Sequence, residues 1–312
     1  MTAASGAAEA PHTLLQPRIA LPFILVCLIW GSTWLVITDQ IDDVPASWSV
    51  TYRFMLATPA MFLVALLTRK RLALGRNGQA LALFMGATQF CGNFNFVYRA
   101  ELHLTSGIVA LMIGLLLVPN AILGRFVLGQ PITRRFALGS AIAIGGLALL
   151  LVHEARTAPL GGDVWLGIVF GVIAMLCASL SNVMQANETG RALPMVSLLA
   201  WAMLYGTIID FAVAWMTAGP PVLPVRAEYW AGTVFLALFG SVVTFPLYYT
   251  LIRQLGAGRA AYNGVVVVVI AMVLSTLFEG YRWSALSVAG AVLAMVGLVV
   301  ALRARNPVLK SG

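Results

Sequence analysis

The chain writes one long stretch twice. Phe84 to Leu151 lies on Phe235 to Leu302 without a gap, at an offset of 151 positions (98 to 249). Phe84, Phe94 and Tyr98 meet Phe235, Phe245 and Tyr249. Leu104, Gly107, Ala110 and Leu123 meet Leu255, Gly258, Ala261 and Leu274, and Gly129, Gly139, Gly146 and Leu147 meet Gly280, Gly290, Gly297 and Leu298. Apolar sequences match easily by chance, but a framework of glycines and a tyrosine held in one register does not. An internal repeat of this length means two copies of one helical unit packed on each other.

The solvent of those units follows from what the chain lacks. Only 10% of its 312 residues are charged and 61% are hydrophobic, whereas a soluble domain carries about 25% charged residues. With a mean hydropathy of +0.93, the chain cannot cover a water-facing surface, and its partner is a lipid bilayer. A net charge of +8 would suggest nucleic acid in a soluble protein. Here the basic residues sit in short loops between apolar runs, so they speak to membrane orientation and no nucleic-acid partner is expected. Cys27, Cys91 and Cys177 lie inside apolar runs with no disulfide or metal spacing. They read as small core residues.

A hydrocarbon layer of about 30 Å takes about 20 apolar residues per helix. Ten segments qualify, at roughly 19–38, 47–67, 79–98, 105–127, 135–152, 163–186, 194–217, 228–251, 259–278 and 284–303. The expected units are a disordered tail at 1–18, a first five-helix repeat at 19–152, a second at 163–303 and a tail at 304–312. The first apolar run has no basic leader or small-residue cleavage site, so it reads as a span and not as a cleaved signal. With the N-terminus in the cytoplasm, inner segments hold 14 Lys and Arg against 4 outside, which predicts both termini cytoplasmic. Asp39, Asp42, Asp43, Glu101, Glu154, Asp163, Glu228 and Glu279 then fall in or beside outer loops. Five spans per copy is an odd number. The second copy therefore enters from the opposite side, and the fold is an all-α membrane protein of two inverted five-helix repeats. Such a pair supports alternating access by rocking one half against the other.

Within the spans, Arg53 is the lone cation. It either snorkels to the acidic loop at Asp42 and Asp43 or faces a cavity and attracts a substrate carboxylate. Asp210 is the lone carboxylate well inside a span. It is either a hydrogen-bonded acid between helices or a proton-coupling group. Ala174, Ala178, Ser181, Asn182 and Gln185 share a face of span six, and Ser241, Thr244, Phe245 and Tyr248 a face of span eight. In span three, Gln89 and Asn93 lie opposite Thr88, Cys91, Asn95 and Tyr98, and the pattern does not choose between the faces. Asn263 and Asn120 are further polar candidates, and Trp30 and Trp34 share a face of span one. Each set lines a substrate path or serves as interhelical glue and packing. Trp48, Trp165, Tyr229, Trp230 and Trp283 are expected in an interfacial belt. The small residues Gly139, Ala143 and Gly146, with Gly290, Ala294 and Gly297, mark scaffold or dimer contacts.

Other classes lack their signatures. No nucleophile–base set, metal motif or phosphate loop stands in the chain, so neither an enzyme nor a cofactor is expected. No filter sequence or charged ring suggests a channel. A secondary carrier for a small molecule is the reading left, ahead of a channel or a non-transporting scaffold.

Several short motifs in order resemble the drug/metabolite transporter superfamily in its ten-helix EamA-type branch. They are Trp30-Gly31-Ser32, Arg53-Phe54, Pro119, Gly129-Gln130, Gly258, Glu279-Gly280, Gly290 and Gly297, spread over about 19–303. Gln130 stands where the branch often has an acid, and Ile270 where the first copy has Pro119. Within the branch the chain is most similar to the YddG-type amino-acid exporters. That similarity implies export of aromatic and other neutral amino acids across the bacterial inner membrane. It also implies a cavity between spans 3, 4, 8 and 9 and spans 1, 2, 6 and 7, with spans 5 and 10 peripheral. Drug or other metabolite carriers of the superfamily are the alternative. The expected substrate-path residues are Trp30, Trp34, Arg53, Gln89, Asn93, Tyr98, Ser181, Asn182, Gln185, Thr244, Tyr248, Tyr249 and Asn263, with Asp210 a candidate for coupling and a monomer as the working unit.

Overall fold

The structure is a computed structural model that describes residues 17–42, 44–129, 131–157, 163–255 and 262–304. Most of the two expected tails, Asp43, Gln130 and Gly258 lie outside these residues. Ten long helices run in sequence among the described residues: α1 (Pro17–Ile41), α2 (Ala46–Leu67), α3 (75–101), α4 (Ser106–Leu128), α5 (Arg134–Thr157), α6 (Val164–Gln185), α7 (Met195–Ala218), α8 (227–255), α9 (Tyr262–Phe278) and α10 (Ala285–Ala304). A short helix, Glu188–Ala192, lies between α6 and α7. Eight of the ten are long and apolar enough to cross a membrane by themselves. The other two are α9, which is shorter, and α3, which carries Thr88, Gln89, Asn93 and Asn95. No strand occurs among the described residues. Short connections make successive helices antiparallel. The start of α1 and the end of α10 therefore share one face, called here the terminal end, and the opposite face is the far end.

The packing has the symmetry of the repeat. Helices α2 and α7 pack together, as do α5 and α10. The pair α3–α6 has its counterpart in α8–α1, α1–α9 in α6–α4, and α3–α7 in α8–α2. Exchanging each helix with the one five places on thus maps the neighbours onto neighbours. Five helices per copy invert the second copy relative to the first.

Two local features carry the same register. A π-helical segment interrupts α3 at Gly86–Asn93 and α8 at Leu238–Val243, and the offset of the repeat brings these onto each other. A π turn bonds i to i+5 and inserts one residue into the helical phase. Gly129 and Gly280, also matched, have φ of 67° and 69°. This is the left-handed conformation that terminates helices and that glycine adopts without strain. One feature breaks the symmetry. Helix α4 is interrupted after Gly114 and resumes at Leu117. Pro119 has no N–H for the carbonyl of Leu115 and its ring crowds that oxygen. In the second copy Ile270 takes that place, and α9 runs unbroken.

Helices α5 and α10 cross at backbone contact. A Cβ added to Gly146 would sit 2.2 Å from the nitrogen of Ala294, and one on Gly297 2.2 Å from that of Ala143. Lipid supplies no hydrophobic drive between helices, so close van der Waals approach at small residues holds such pairs. The small-residue stripes are therefore used within one chain, which removes the dimer reading. They tie the two copies at the edge of the bundle.

Several side chains are deeper than the sequence suggested. Glu101 and Glu154, expected in or beside outer loops, are 1% and 0% exposed. Glu154 accepts from the N–H of Thr105 at 2.8 Å, and Glu279 from that of Ser106 at 3.0 Å. Both carboxyls thus satisfy free amides at the start of α4, where the helix dipole favours negative charge. Trp48 and Tyr229, expected at the lipid interface, are buried instead in a cluster with Val44, Tyr52 and Ala214. Trp165 and Trp283 remain exposed.

Candidate functional site

A cavity of about 650 Å³ lies between the two copies. Its walls come from α1, α2, α3, α4, α6, α8 and α9, with the short helix and the start of α7 at one end, and α5 and α10 do not reach it. It extends to the terminal end at Leu128, Arg191 and Met195. At the far end it stops at Trp34, Ile37 and Val97.

Arg53 is built into the wall of this cavity, not turned outward, and is 2% exposed. Its Nε donates to Ser241 Oγ at 3.2 Å, and its guanidinium carbon stands 4.3 Å from the centroid of Phe94. Nη1 has no partner, and no carboxylate of the described residues lies within ion-pair distance. A buried cation without a counter-ion is costly unless a charge is brought to it. The π segment of α8 helps to position the group. Gly240 O, one of its carbonyls, accepts from Thr244 Oγ1 at 2.8 Å and from Trp30 Nε1 at 3.2 Å, and Arg53 Nη2 lies 3.5 Å away. A Cβ on residue 240 would stand 3.3 Å from Arg53 Nη2, so the glycine makes room for the guanidinium.

The remaining wall divides into amides and aromatic rings. Asn93 donates to Ala174 O at 3.0 Å and accepts from Gln89 Nε2 at 3.3 Å. Asn263 donates to Cys27 Sγ at 2.9 Å. Gln185 Oε1 and Asn120 Oδ1 have no partner, and neither does Trp34 Nε1. Unpaired donors thus belong to Arg53 and Trp34, nearer the far end, and unpaired acceptors to Asn120 and Gln185, nearer the terminal end. Trp30 lies against Phe245 and Tyr248, with centroids 5.6 and 5.0 Å away, and Phe245 against Tyr249.

Of the residues singled out from sequence, Trp30, Trp34, Arg53, Gln89, Asn93, Asn182, Gln185, Tyr248, Tyr249 and Asn263 stand in the cavity wall. Four do not. Tyr98 is fully buried and donates to Gln40 Oε1 at 3.2 Å, packing α3 on α1. Thr244 is turned back to its own helix at Gly240, and Ser181 is buried outside the wall. Asp210 accepts from Asn95 Nδ2 at 2.7 Å between α3 and α7, away from the cavity. The choice between the faces of α3 thus falls to Gln89 and Asn93. Beyond the expected set, the structure adds Phe94, which supports Arg53, and Arg191, an exposed second cation at the terminal mouth. Arg191 reaches the mouth from the short helix after α6, which no periodic pattern in the sequence marks.

The far end is closed by a polar seal that no single helix announces. Thr38 Oγ1 lies 3.0 Å from Glu101 Oε2 and 3.0 Å from Glu279 Oε1. Ser275 Oγ donates to Glu279 Oε2 at 2.6 Å. These contacts join α1, α3 and α9, and the Ser106 amide adds α4.

Comparison with known proteins agrees with this architecture. A solved crystal structure of another protein superposes with a TM-score of 0.66 over 92% of this chain and 98% of its own, at 19% identity, which shows the fold. Protein PagO of Salmonella typhimurium is 26% identical over 289 residues, covering 92% of this chain and 94% of that one. A "probable amino-acid metabolite efflux pump" of Escherichia coli is 26% identical over 89% of this chain and 92% of its own. A "probable terminal-alkyne amino-acid exporter" of Streptantibioticus cattleyicolor is 24% identical over 89% and 91%. The model of the EamA-like transporter family matches twice, at residues 18–152 and 165–303. This chain is a multi-pass membrane protein and belongs to the EamA-like transporter family.

Proposed function

We propose that the protein is a secondary carrier that exports amino acids or closely related metabolites by alternating access. The observation that carries this is Arg53: a buried guanidinium without a counter-ion, deep in the wall of a cavity whose unpaired acceptor groups lie nearer its terminal mouth. A carboxylate on the substrate would meet Arg53 and Trp34 Nε1, and an ammonium would meet the acceptors of Gln185 or Asn120. The rings of Trp30, Phe245, Tyr248 and Tyr249 suit an apolar or aromatic side chain. A phosphorylated substrate would want several buried cations, and among the described residues only Arg53 is buried; Arg191 lies exposed at the mouth. The names of the Escherichia coli and Streptantibioticus relatives support an amino-acid-like cargo.

The distribution of Lys and Arg supports both termini in the cytoplasm of a bacterial inner membrane. The conformation described here is then the one whose cavity reaches the cytoplasm while the outer side is sealed. Rocking of α3, α4, α8 and α9 against α1, α2, α6 and α7 would exchange the two openings. The test is counterflow of radiolabelled amino acids in proteoliposomes, with and without a pH gradient. Exchange accelerated by amino acid on the opposite side is expected. Flux without such acceleration would point to a channel, and no flux of any carboxylate-bearing compound would reject the reading.

A further inference from the structure

The seal at the far end contains more acceptors than its protons can serve if both acids are ionised. Thr38 Oγ1 has one hydrogen. It stands at bonding distance from Glu101 Oε2, Glu279 Oε1 and its own helix carbonyl, Trp34 O, at 3.0, 3.0 and 3.2 Å. One hydroxyl proton satisfies one of these. For the second carboxyl to bond to Thr38, that carboxyl itself must be the donor. The two acids are not equivalent. Glu279 Oε2 accepts from the Ser106 amide at 3.0 Å and from Ser275 Oγ at 2.6 Å, so Glu279 is held as an acceptor. Glu101 has no such donors: its Oε1 is buried without a partner, and the residue is 1% exposed.

The surrounding charges do not relieve the pair. Among the described residues no Lys or Arg lies within ion-pair distance of either acid. From α1, Asp39 is turned outward to Arg226 at 2.9 Å. Arg53 on α2 acts on Glu101 only from beyond ion-pair distance, and Glu154 on α5 adds a further carboxyl near Glu279. His153 on α5 is committed elsewhere, to Arg282 O at 2.8 Å and Ser284 Oγ at 3.1 Å. Tyr98 on α3 is bonded to Gln40. Two ionised carboxylates on one hydroxyl, with no cation beside them, repel each other, and one keeps a proton.

We propose that Glu101, Thr38 and Glu279 form the proton-binding site of this carrier, with the proton on Glu101, and that binding it closes the far end. The chain of donors runs from the Glu101 carboxyl O–H to Thr38 Oγ1, and from the Thr38 hydroxyl to Glu279 Oε1. It fastens α1, of one rocking half, to α3, α4 and α9 of the other. When the far end opens, Glu101 meets water and ionises as pH rises. With two anions and one hydroxyl the bridge does not re-form until a proton returns. Coupling therefore sits at the seal and not at Asp210, which is enclosed between α3 and α7.

This rests on the carrier reading, and the test separates the two. Spin labels are placed at Asp42→Cys and Arg282→Cys, exposed far-end positions on opposite halves, in full-length protein with Cys177→Ala. Label distances are measured in liposomes from about pH 5 to about pH 8.5. The unaltered bridge should give a short distance at low pH and a growing longer one as pH rises, by up to about tenfold in population per pH unit. Glu101→Gln, whose amide donates to Thr38 without titrating, should stay short throughout. Thr38→Val should show the longer distance at every pH, and Thr38→Ser should restore the response. A distribution independent of pH with Thr38, Glu101 and Glu279 intact, or a Glu101→Gln protein that responds like it, overturns the proposal. Amino-acid counterflow in the same liposomes reports the other claim. A pH-driven distance change without amino-acid carriage removes the substrate reading alone, and carriage without that change removes the proton site alone.

Discussion

Replacing Arg53 with glutamine should weaken binding of carboxylate-bearing substrates without weakening the protein. Without substrate the guanidinium donates to Ser241 Oγ at 3.2 Å and, more weakly, to Gly240 O at 3.5 Å, and it stands over the ring of Phe94, while Nη1 is unpaired. Losing these contacts costs roughly 2–4 kcal/mol. Removing a buried charge with no counter-ion returns several kcal/mol of desolvation. The two nearly cancel, so thermal unfolding in detergent should move little or upward. With substrate bound the account differs, because truncating one partner of a buried charge pair costs about 2–5 kcal/mol. At about 1.4 kcal/mol per decade, affinity should fall by roughly 30-fold to a few thousand-fold. Calorimetry with an amino acid and with its decarboxylated amine isolates the cause. The amine lacks the group that Arg53 would hold, so its affinity should change by less than about threefold. Equal losses for both ligands, or no loss for either, would refute Arg53 as the carboxylate anchor.

Three further substitutions test neighbouring parts of the structure. Gly146→Ala puts a Cβ 2.2 Å from the nitrogen of Ala294, which forces α5 and α10 apart. It should destabilise the protein by about 1–3 kcal/mol, and an unmoved unfolding temperature would argue against backbone contact there. Gly240→Ala sets a Cβ 3.0 Å from Thr33 Cγ2 and 3.3 Å from Arg53 Nη2. The displaced guanidinium should cost carboxylate substrates about 1 kcal/mol, or roughly fivefold in affinity, and spare their amines, as calorimetry would show. Asp210→Asn keeps an oxygen to accept from Asn95 and lies outside the cavity wall. It should leave both flux and its pH dependence in place; loss of the pH dependence in proteoliposomes would move the coupling group to Asp210.

What the sequence made legible is whatever repeats or has a regular period. The register that pairs Gly129 with Gly280 also pairs two left-handed helix ends, and Gly146 meets Ala294, from the matching stripe, at backbone contact. In α6, a regular helix, counting at 100° per residue brought Asn182 and Gln185 to the cavity wall. The same count was too coarse to exclude Ser181. In α3 the count separates Gln89 and Asn93 from Tyr98, as the structure does, but periodicity alone does not say which face meets the cavity. In α8 the counted stripe brings Phe245 and Tyr248 to the wall but not Ser241 or Thr244, which lie in or at the end of the π segment, where the helical phase shifts. The seal was hidden for another reason. Thr38 and Glu101 lie on two helices and Glu279 just past the end of a third, and read singly Glu101 and Glu279 pass for loop acids at the ends of apolar runs. Their meaning comes only from meeting at one hydroxyl.

The repeat makes the proton proposal quantitative, because the seal has no twin. At the offset that matches Tyr98 to Tyr249, Glu101 falls on Ile252 and Glu279 on Leu128. The surface that closes the terminal end in the opposite conformation therefore cannot carry an equivalent carboxyl bridge. Had both seals bound a proton on closing, the two conformations would hold equal numbers of protons, and their ratio would not depend on pH. With one titrating seal, the far-end-closed state holds one proton more. The logarithm of the population ratio should then change with a limiting slope of one per pH unit. The paired labels at positions 42 and 282 measure this ratio directly, and a second pair across the terminal end should give the same slope with the opposite change of distance. Leu128→Glu would test the symmetry further, by offering the terminal end an acid where the first seal has Glu279. Without a partner acid at position 252 it should leave the slope at one. A slope near zero before any substitution would mean that closure of the terminal end also takes up a proton. A slope near two would place a second titrating group in the far-end seal, with Glu154, which interacts with Glu279, the candidate.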